Sequence, residues 1–392
     1  MEAFYRTHAY LVEHTNAPVR RDLMDEIDWN DRLIGIKGTR GVGKTTFLLQ
    51  YAKEKFGTDR SCLFINMNNF YFSGHSIVDF AYEFQRRGGK VLLIDQVFKH
   101  PDWSKELRLC YDRFPNLKIV FTGSSVMRLK EENLELRDIV KSYNLRGFSF
   151  REYLNLQTGM KFRSYSLEEI LSNHEQIAKG ILSKVRPLDH FQDYMHHGFY
   201  PFFLEKRNFS ENLLKTMNMM VEVDILLIKQ IELKYLSKIK KLLYFLAVDG
   251  PKAPNVSQLA NDIQTSRATV MNYIKYLADA RLINMVYPKG EEFPKKPSKI
   301  MMHNSNLMYS IYPVKVEEQD VLDTFFVNSL WKDHKVHKGD KNVSFMVDEV
   351  MPFKICAEGA KIKNNPDVTY ALQKAEIGRG NQIPLWMFGF LY

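Results

Sequence analysis

The segment 38–46 constrains this chain more than any other part of it. It reads Gly-Thr-Arg-Gly-Val-Gly-Lys-Thr-Thr, and Gly38, Gly43, Lys44 and Thr45 have the spacing of a phosphate-binding loop. The apolar run 32–36 before the loop predicts a strand, and the apolar stripe after it predicts a helix. An incidental glycine-rich turn is the alternative, and this flanking pattern argues against it.

The chemistry of such a loop assigns a role to each part of the segment. Backbone N–H groups turn toward phosphate oxygens, and the helix N-terminus adds positive potential. Lys44 is expected to reach the β- and γ-phosphates, and the Thr45 hydroxyl is expected to bind magnesium. The loop therefore predicts ATP and Mg²⁺ as cofactors. The predicted nucleotide-binding residues are Gly38, Thr39, Arg40, Gly41, Val42, Gly43, Lys44, Thr45 and Thr46.

A second apolar run, residues 91–95, ends in Asp95, a carboxylate that would hold hydrated magnesium together with Thr45. Many nucleotide-hydrolysing enzymes place a glutamate directly after this aspartate, where it polarises the attacking water, but this chain has Gln96. An amide cannot accept the proton, so hydrolysis is expected to be about 10²- to 10⁴-fold slower while binding persists.

The sequence therefore predicts a slow ATPase or a nucleotide-responsive switch. Gln96 leaves two alternatives open at this point. A nearby carboxylate, Asp102 or Glu106, could replace the missing glutamate, or Gln96 could be a designed substitution that traps the bound nucleotide.

Further apolar runs at 62–66 and 118–123 are continuous rather than alternating, which is typical of a parallel sheet covered on both faces. The predicted class is thus α/β. The run that begins at Lys118 leads to Ser124, which we predict to sense the γ-phosphate. A capped turn before a helix explains a serine there equally well.

The rest of the chain predicts three further regions. Residues 166–240 show helical spacing without strand runs, interrupted by a predicted turn at 194–201. Predicted helices through Leu246, at 256–263 and at 266–280, followed by a strand at 282–287, outline a winged helix-turn-helix. Asn255 or Ser257 can cap its second helix. The predicted domains are 1–155 (ATPase), 156–240 (helical), 241–300 (winged helix) and 301–392 (C-terminal).

Several segments together resemble the prokaryotic AAA+-type P-loop ATPases that carry a C-terminal domain of unknown function. The resemblance covers nearly the whole chain and rests on segments 38–46, 93–97, 101–103, 121–125, 148–153 and 383–390. It implies a core ATPase domain, a winged helix and a small restriction-endonuclease-like C-terminal fold. Family members have glutamate after the aspartate, so Gln96 is a departure. They also carry an arginine after the sensor strand, and Arg137 is the matching position. A finger acting in trans across a homo-oligomer is one reading of Arg137, and a solvated arginine is the other.

The C-terminal region keeps only part of a nuclease pattern. Asp348 and Lys354 outline the magnesium-binding core of restriction-endonuclease-type enzymes, but the chain lacks the Glu-x-Lys of that core, and Glu358 and Lys361 have the wrong spacing. We therefore predict a degenerate, nuclease-like scaffold, with active cleavage as a third reading. His334 and His337 could ligate a metal or be ordinary surface histidines.

Charge and composition narrow the class of partner. The net charge of +9, with eight basic against four acidic side chains in 252–300, favours a polyanion, so DNA binding through the basic winged helix is predicted. Winged helices also dock proteins, and a non-hydrolysing ATP-binding protein that recruits a protein partner is the alternative. Three widely spaced cysteines, no apolar stretch of membrane length and no secretion-type N-terminus predict a cytoplasmic protein without membrane contact.

Overall fold

The computed structural model describes residues 1–131, 133–205, 208–340, 342–362 and 365–392. The chain divides into two compact units, Met1–Gly147 and Phe148–Tyr392. Within the described ranges, no helix combines the length and the apolar character needed to cross a membrane. The finer boundaries proposed from the sequence remain predictions.

The first unit is built on a parallel sheet of five strands in the order β2-β3-β4-β1-β5. Every residue of β3 is buried, as expected for a strand covered on both faces. The predicted α/β class is confirmed, whereas β5 was not predicted because its polar sequence, Lys-Ser-Tyr-Asn, lacks an apolar run. The strands are β1 (Leu33–Gly38), β2 (Cys62–Asn66), β3 (Val91–Asp95), β4 (Lys118–Ser124) and β5 (Lys141–Asn144).

Two helices precede β1, further helices connect β1 to β2, β2 to β3 and β3 to β4, and the parallel arrangement brings the carboxyl ends of the strands to one edge of the sheet. The helices are α1 (Glu2–His14), α2 (Leu23–Glu26), α3 (Lys44–Lys55), α4 (Ile77–Arg86) and α5 (Trp103–Arg113). Short 3₁₀ helices at Phe70–Ser73 and Val97–Lys99 follow β2 and β3. The segments that leave β1, β2, β3 and β4 therefore share that edge.

The second unit contains a two-stranded antiparallel pair and a mixed five-stranded sheet in the order β12-β11-β10-β9-β8. In the larger sheet β10, β11 and β12 run parallel, while β8 and β9 are antiparallel to their neighbours. The strands are β6 (Ile283–Val286), β7 (Lys299–Met302), β8 (Val336–Lys338), β9 (Phe345–Val347), β10 (Met351–Cys356), β11 (Thr369–Leu372) and β12 (Gln382–Pro384).

The helices of this unit precede and flank its sheets. They are α6 (Phe150–Thr158), α7 (Leu167–Leu182), α8 (Leu188–Asp193), α9 (Phe209–Met219), α10 (Leu226–Ile228), α11 (Leu236–Asp249), α12 (Val256–Asp262), α13 (Arg267–Asp279), α14 (Ser305–Ile311) and α15 (Glu318–Leu330). Shorter 3₁₀ helices lie at Pro201–Glu205, Leu233–Tyr235 and Leu385–Phe390. Between 166 and 240 the described residues form no strand, as predicted.

Two local expectations can be resolved from side-chain positions. Asn255, and not Ser257, caps α12, because its Oδ1 accepts the Gln258 N–H at 3.1 Å. The apolar composition of the C-terminal segment Leu385–Phe390 favours burial; the segment is buried, and the fully buried Phe388 ring packs against Phe326 and Phe353.

The predicted turn at 194–201 is instead a π-helical turn, Tyr194–Gly198, that extends α8. The fully buried side chain of Asn306 binds three backbone groups there. Its Nδ2 donates to the carbonyls of Tyr194 and Met195 at 3.1 and 2.8 Å, and its Oδ1 accepts the Phe199 N–H at 2.9 Å. The chain can leave regular α-helix geometry here because a side chain from α14 satisfies the backbone groups. A second π-helical turn lies at Met220–Ile225.

We predict that Asn306→Ala lowers the free energy of unfolding by about 2–5 kcal/mol, because it leaves several buried backbone groups without partners. Urea unfolding followed by circular dichroism measures the change. Asn218, exposed on α9, provides the matched control, and Asn218→Ala should change stability by less than about 0.5 kcal/mol. Equal effects of the two substitutions would contradict this account of the π-helical turn.

Candidate functional site

The loop at 38–46 joins β1 to α3 in the first unit, as predicted, and two of its glycines are required by geometry. A Cβ on Gly38 would lie 2.4 Å from the carbonyl oxygen of Leu145 on the neighbouring chain segment. Gly43 has φ 93° and directly precedes the first residue of α3. That conformation is strained for a residue with a side chain, so glycine permits the sharp entry into the helix.

Lys44 places its positive charge inside the loop. Its Nζ donates to the carbonyls of Gly38 and Thr39, at 2.8 Å in both cases. The first turn of α3 therefore presents a cation and the N–H groups of a helix start in the same place, which is the arrangement that binds anions.

Asp95 is a buried carboxylate that accepts hydrogen bonds from three side chains. It is 1% exposed, and the Thr45 hydroxyl donates to its Oδ2 at 2.8 Å. The same oxygen accepts the Asn66 side-chain amide at 2.8 Å, and Oδ1 accepts the Thr122 hydroxyl at 2.5 Å. Three donors compensate the burial of this carboxyl group. The structure thus brings together Thr45 and Asp95, the two residues predicted to hold magnesium.

Asn66 and Thr122 were missed by the sequence analysis. Asn66 ends β2 directly opposite Asp95, and Thr122 lies in β4 one residue beyond the partner of Ile94. Both flank β3, so the order of the strands explains why they reach the same carboxylate. The polar residues that interrupt the apolar runs at 66 and 122 were the available signal.

Gln96 adopts a left-handed backbone conformation, with φ 55° and ψ 47°. Its N–H donates to the Thr122 hydroxyl at 2.9 Å, which holds it beside the Asp95 network. A non-glycine residue in this region costs about 1–2 kcal/mol, and such strain is often kept where it positions a functional group. Gln96 therefore lies beside the Asp95 network, and its part in hydrolysis stays a prediction.

Neither carboxylate suggested as a substitute for the missing glutamate is placed as one. Glu106 is occupied elsewhere: Oε1 lies 2.9 Å from Nε2 of His100, and Oε2 accepts the backbone N–H of Ile77 at the start of α4. Asp102 is largely exposed and lies 3.8 Å from the ammonium of Lys105. Glu106 thus caps the start of α4, whose first residue, Ile77, lies 29 residues away in sequence. The spacing of residues along the chain could not reveal this contact.

Ser124 and Arg137 have different environments. Ser124 is 2% exposed and pairs in register with Gly38, so it lies beside the start of the loop. Arg137 is exposed in the connection between β4 and β5, and its side chain forms no ion pair with a described residue. Its neighbour Asp138 is bound by Arg108 at 3.1 Å. The structure therefore brings Ser124, but not the Arg137 side chain, into contact with the loop.

Arg21 is a further residue that the sequence analysis missed. The residue is only 7% exposed. Its Nη2 donates hydrogen bonds to the carbonyls of Arg146 and Gly147 at 2.8 and 3.2 Å, and its Nη1 donates to the carbonyl of Val42 at 3.4 Å. This buried guanidinium joins the phosphate-binding loop to the segment that follows β5. The adjacent arginines Arg20 and Arg21 upstream of β1 match no motif, so the sequence gives no signal for that role.

The outlined nuclease centre does not form a cluster around Asp348. Asp348 directly follows Val347, the last residue of β9, and Val347 pairs with Met351, the first residue of β10. Lys354 lies three residues further along β10 than Met351. At about 3.4 Å per residue, that places Lys354 roughly 10 Å along β10 from the turn that holds Asp348. Glu358 is 70% exposed and lies near Lys374 instead.

The predicted metal role of His334 and His337 is likewise unsupported. Within the described ranges, no three His, Cys, Asp or Glu side chains group so as to hold a metal ion. His334 Nδ1 instead lies 2.6 Å from Asp348 Oδ2. His337 lies in β8, and among the described residues no hydrogen bond joins it to this pair. The three-residue spacing of the histidines therefore does not produce a shared ligand site.

The basic character of 252–300 is reduced by ion pairs. Lys275 Nζ lies 2.5 Å from Asp279, and Lys299 Nζ lies 3.0 Å from Asp323. Both carboxylates are buried, so these two lysines are committed to the fold. Lys252, Lys289 and Lys295 form exposed pairs, at 2.8, 3.2 and 3.3 Å. The net charge of +4 expected from the eight basic and four acidic side chains thus overstates the cationic surface of this region.

Two family models match this chain. Residues 30–154 match an AAA domain. Residues 188–315 match a family described as a domain of unknown function, DUF8612. An uncharacterized protein of Methanocaldococcus jannaschii is 29% identical over 290 aligned positions, which cover 69% of this chain and 60% of that relative. The chain thus spans less than two thirds of the length of this curated relative.

Similarities to solved structures are weaker. They include the Aeropyrum pernix ORC1 protein in complex with DNA, at 12% identity and TM-score 0.31, covering 80% of this chain and 92% of that chain. AMPPCP-bound DnaA from Aquifex aeolicus has 12% identity and TM-score 0.26, with 71% and 87% covered. C. elegans PCH-2 has 16% identity and TM-score 0.25, with 71% and 66% covered. TM-scores this low do not establish a common fold.

The match to the AAA domain is the informative one, because it coincides with the features described above. It begins before β1 and includes the loop at 38–46, Asp95 and all five strands of the parallel sheet. Residues 30–154 are therefore similar to an AAA domain over the loop, Asp95 and the five strands of the sheet.

Proposed function

We propose that this protein binds ATP with Mg²⁺ in the loop at 38–46 and acts as a slow ATPase or nucleotide-dependent switch. The observation that carries the proposal is the hydrogen bond between Thr45 and Asp95, 2.8 Å long, beside a loop that already holds the Lys44 ammonium. A hydroxyl and a carboxylate on two adjoining elements are the oxygen ligands that magnesium takes in nucleotide sites.

The residues present fit the expected cofactors. Backbone N–H groups of the loop and Lys44 would hold the phosphates, and Thr45 with Asp95 would hold the metal. Magnesium would supply charge neutralisation at the phosphate oxygens. Asn66 and Thr122 hold the Asp95 carboxylate in place, and Ser124 would sense the terminal phosphate from the end of β4.

Lys44→Ala is expected to weaken ATP binding by at least about tenfold, because it removes the side-chain cation from the phosphate site. Isothermal titration of the full chain with ATP and MgCl₂ measures the Kd. Lys55, exposed at the other end of α3, provides the matched control, and Lys55→Ala should leave the Kd unchanged. An unaltered Kd in Lys44→Ala would remove the basis of the proposed function.

Gln96→Glu is expected to raise the hydrolysis rate about 10²- to 10⁴-fold, because a carboxylate can accept a proton from water where the amide cannot. Steady-state phosphate release at saturating ATP measures the rate, and the Kd for ATP should change little. Asp102→Asn in the same background serves as the control and should leave the rate unchanged. Fast hydrolysis by the original chain would show that Gln96 is not the limiting feature.

We also propose that residues 241–300 form a winged helix that contacts DNA. Three helices, α11 to α13, followed by the antiparallel strands β6 and β7, support this assignment. Arg267 at the start of α13 and Lys296 between the strands are exposed, and neither makes an ion pair with the described part of the chain. These two cations, with those of the exposed pairs, would contact phosphates and give little sequence specificity.

The alternative is a protein that binds ATP without hydrolysis and recruits a protein partner. It is favoured by the commitment of Lys275 and Lys299 to buried carboxylates, which leaves fewer available cations than a DNA-binding surface commonly has. The C-terminal region would then be a nuclease-like scaffold without cleavage. Arg137, exposed and without an ion pair among the described residues, would serve as a finger only if copies of the chain assemble.

DNA binding is expected to depend on Arg267 and Lys296 and not on Lys275. The double substitution Arg267→Ala/Lys296→Ala should reduce the slope of log K against log salt by up to about 2, because each phosphate contact contributes roughly 0.9. Lys275→Gln is the control and should leave the slope unchanged. Fluorescence anisotropy with duplex DNA at several salt concentrations measures both. DNA binding that is absent at low salt would favour the docking protein.

A further inference from the structure

The buried guanidinium of Arg21 binds two separate parts of the first unit. One is the phosphate-binding loop, through the carbonyl of Val42. The other is the end of that unit, through the carbonyls of Arg146 and Gly147. A guanidinium carries its N–H groups in a rigid planar fork, so the acceptors it binds are held at fixed positions relative to one another.

The environment of Arg21 differs from that of the arginine next to it. The Arg20 side chain is 44% exposed and pairs with Asp25 and Glu54 at the surface. Arg21 is only 7% exposed, and a charged group is removed from water at a high cost unless hydrogen bonds replace its hydration. The carbonyls that Arg21 binds supply these hydrogen bonds, so the side chain and its acceptors fix one another.

Peptide geometry extends the Val42 hydrogen bond to the inside of the loop. The C=O and N–H of a trans peptide point in opposite directions. Because the Val42 carbonyl accepts from Arg21 Nη1 at 3.4 Å, the N–H of Gly43 in the same peptide points away from the guanidinium. Gly43 directly precedes α3, where N–H groups bind phosphate in loops of this kind. Arg21 therefore favours one orientation of this peptide over its flipped form.

The segment 145–147 also contacts the start of the loop directly. The Leu145 N–H donates to the carbonyl of Lys37 at 2.7 Å. A Cβ on Gly38 would lie 2.4 Å from the Leu145 carbonyl oxygen, so the two backbones touch there. The next two carbonyls of the segment are those that Arg21 binds. The segment is thus tied to the loop at its start and, through Arg21, near its end.

We infer that Arg21 is a positioning residue that orients the Val42–Gly43 peptide for phosphate binding and couples occupancy of the loop to the order of segment 145–147. The inference rests on the proposed binding of ATP. A phosphate that holds the Gly43 N–H keeps the Val42 carbonyl turned to Arg21, and the guanidinium then keeps its bonds to the segment. Such coupling is reciprocal, so loosening the segment weakens ATP binding by the same factor.

Hydrogen–deuterium exchange of the unchanged full chain tests the coupling, with mass spectrometry as the readout. Saturating ATP with MgCl₂ should slow exchange at least about twofold over residues 40–47 and also over 145–147, because both segments open less often. An arginine that only stabilises the fold would leave exchange over 145–147 independent of ATP.

Arg21→Lys keeps the charge and removes the planar fork. The Kd for ATP should weaken about 3- to 10-fold, since the Gly43 N–H is loosened and not deleted. ATP should still slow exchange over 40–47 but no longer over 145–147. Without nucleotide, exchange over both segments should rise by more than it does over β3, which reports global opening. Arg20→Lys is the matched control and should leave the Kd and both exchange patterns unchanged.

The outcomes separate this inference from the proposed function. If the unchanged chain fails to bind ATP, the proposed function is wrong, and the comparison without nucleotide alone decides whether Arg21 orders the two segments together. If ATP binds and slows exchange over 40–47 only, the coupling is wrong. A Kd in Arg21→Lys equal to that of Arg20→Lys, or protection of 145–147 by ATP that persists in Arg21→Lys, would also overturn the inference.

Discussion

The architecture of the first unit depends on how one buried carboxylate is held. Asp95 is almost inaccessible to solvent, and an unpaired carboxylate there would be strongly unfavourable. Donors from three elements remove that penalty: Thr45 from α3, Asn66 from β2 and Thr122 from β4. The network therefore also fixes the start of α3 relative to the sheet, which positions the phosphate-binding loop.

Thr122 links this network to the residue that would govern hydrolysis. Its hydroxyl donates to Asp95 and accepts the N–H of Gln96, so one side chain sets the position of both. The left-handed backbone at Gln96 is compatible with this arrangement because the hydrogen bond compensates part of its strain. Under the proposed function, binding and hydrolysis would be separable in this site: the network holds the groups proposed to bind the metal, whereas hydrolysis would depend on which side chain stands at position 96.

The sequence predicted those parts of the site whose residues are adjacent along the chain or follow a known spacing. The loop, Thr45 and Asp95 belong to this class, and so does the α/β sheet, because continuous apolar runs are typical of buried parallel strands. Asn66, Thr122 and Arg21 could not be predicted, since their contacts depend on the strand order and on chain segments that meet only in the fold. The same limit explains Glu106, whose partner Ile77 is 29 residues away.

The lysines of 252–300 show most clearly how a charge count from the sequence differs from the charge that the folded surface presents. The Lys275–Asp279 pair has the four-residue spacing of a helical ion pair, so its neutralisation could have been foreseen, whereas Lys299–Asp323 joins a strand to a distant helix. Exposed ion pairs such as Lys289–Glu349 contribute little to stability, and the lysine can exchange its carboxylate partner for a phosphate. A lysine paired with a buried carboxylate cannot do so, because its departure would leave that carboxylate buried and unpaired. The number of cations that a polyanion can use is therefore set by the burial of their partners and not by the net charge of the segment.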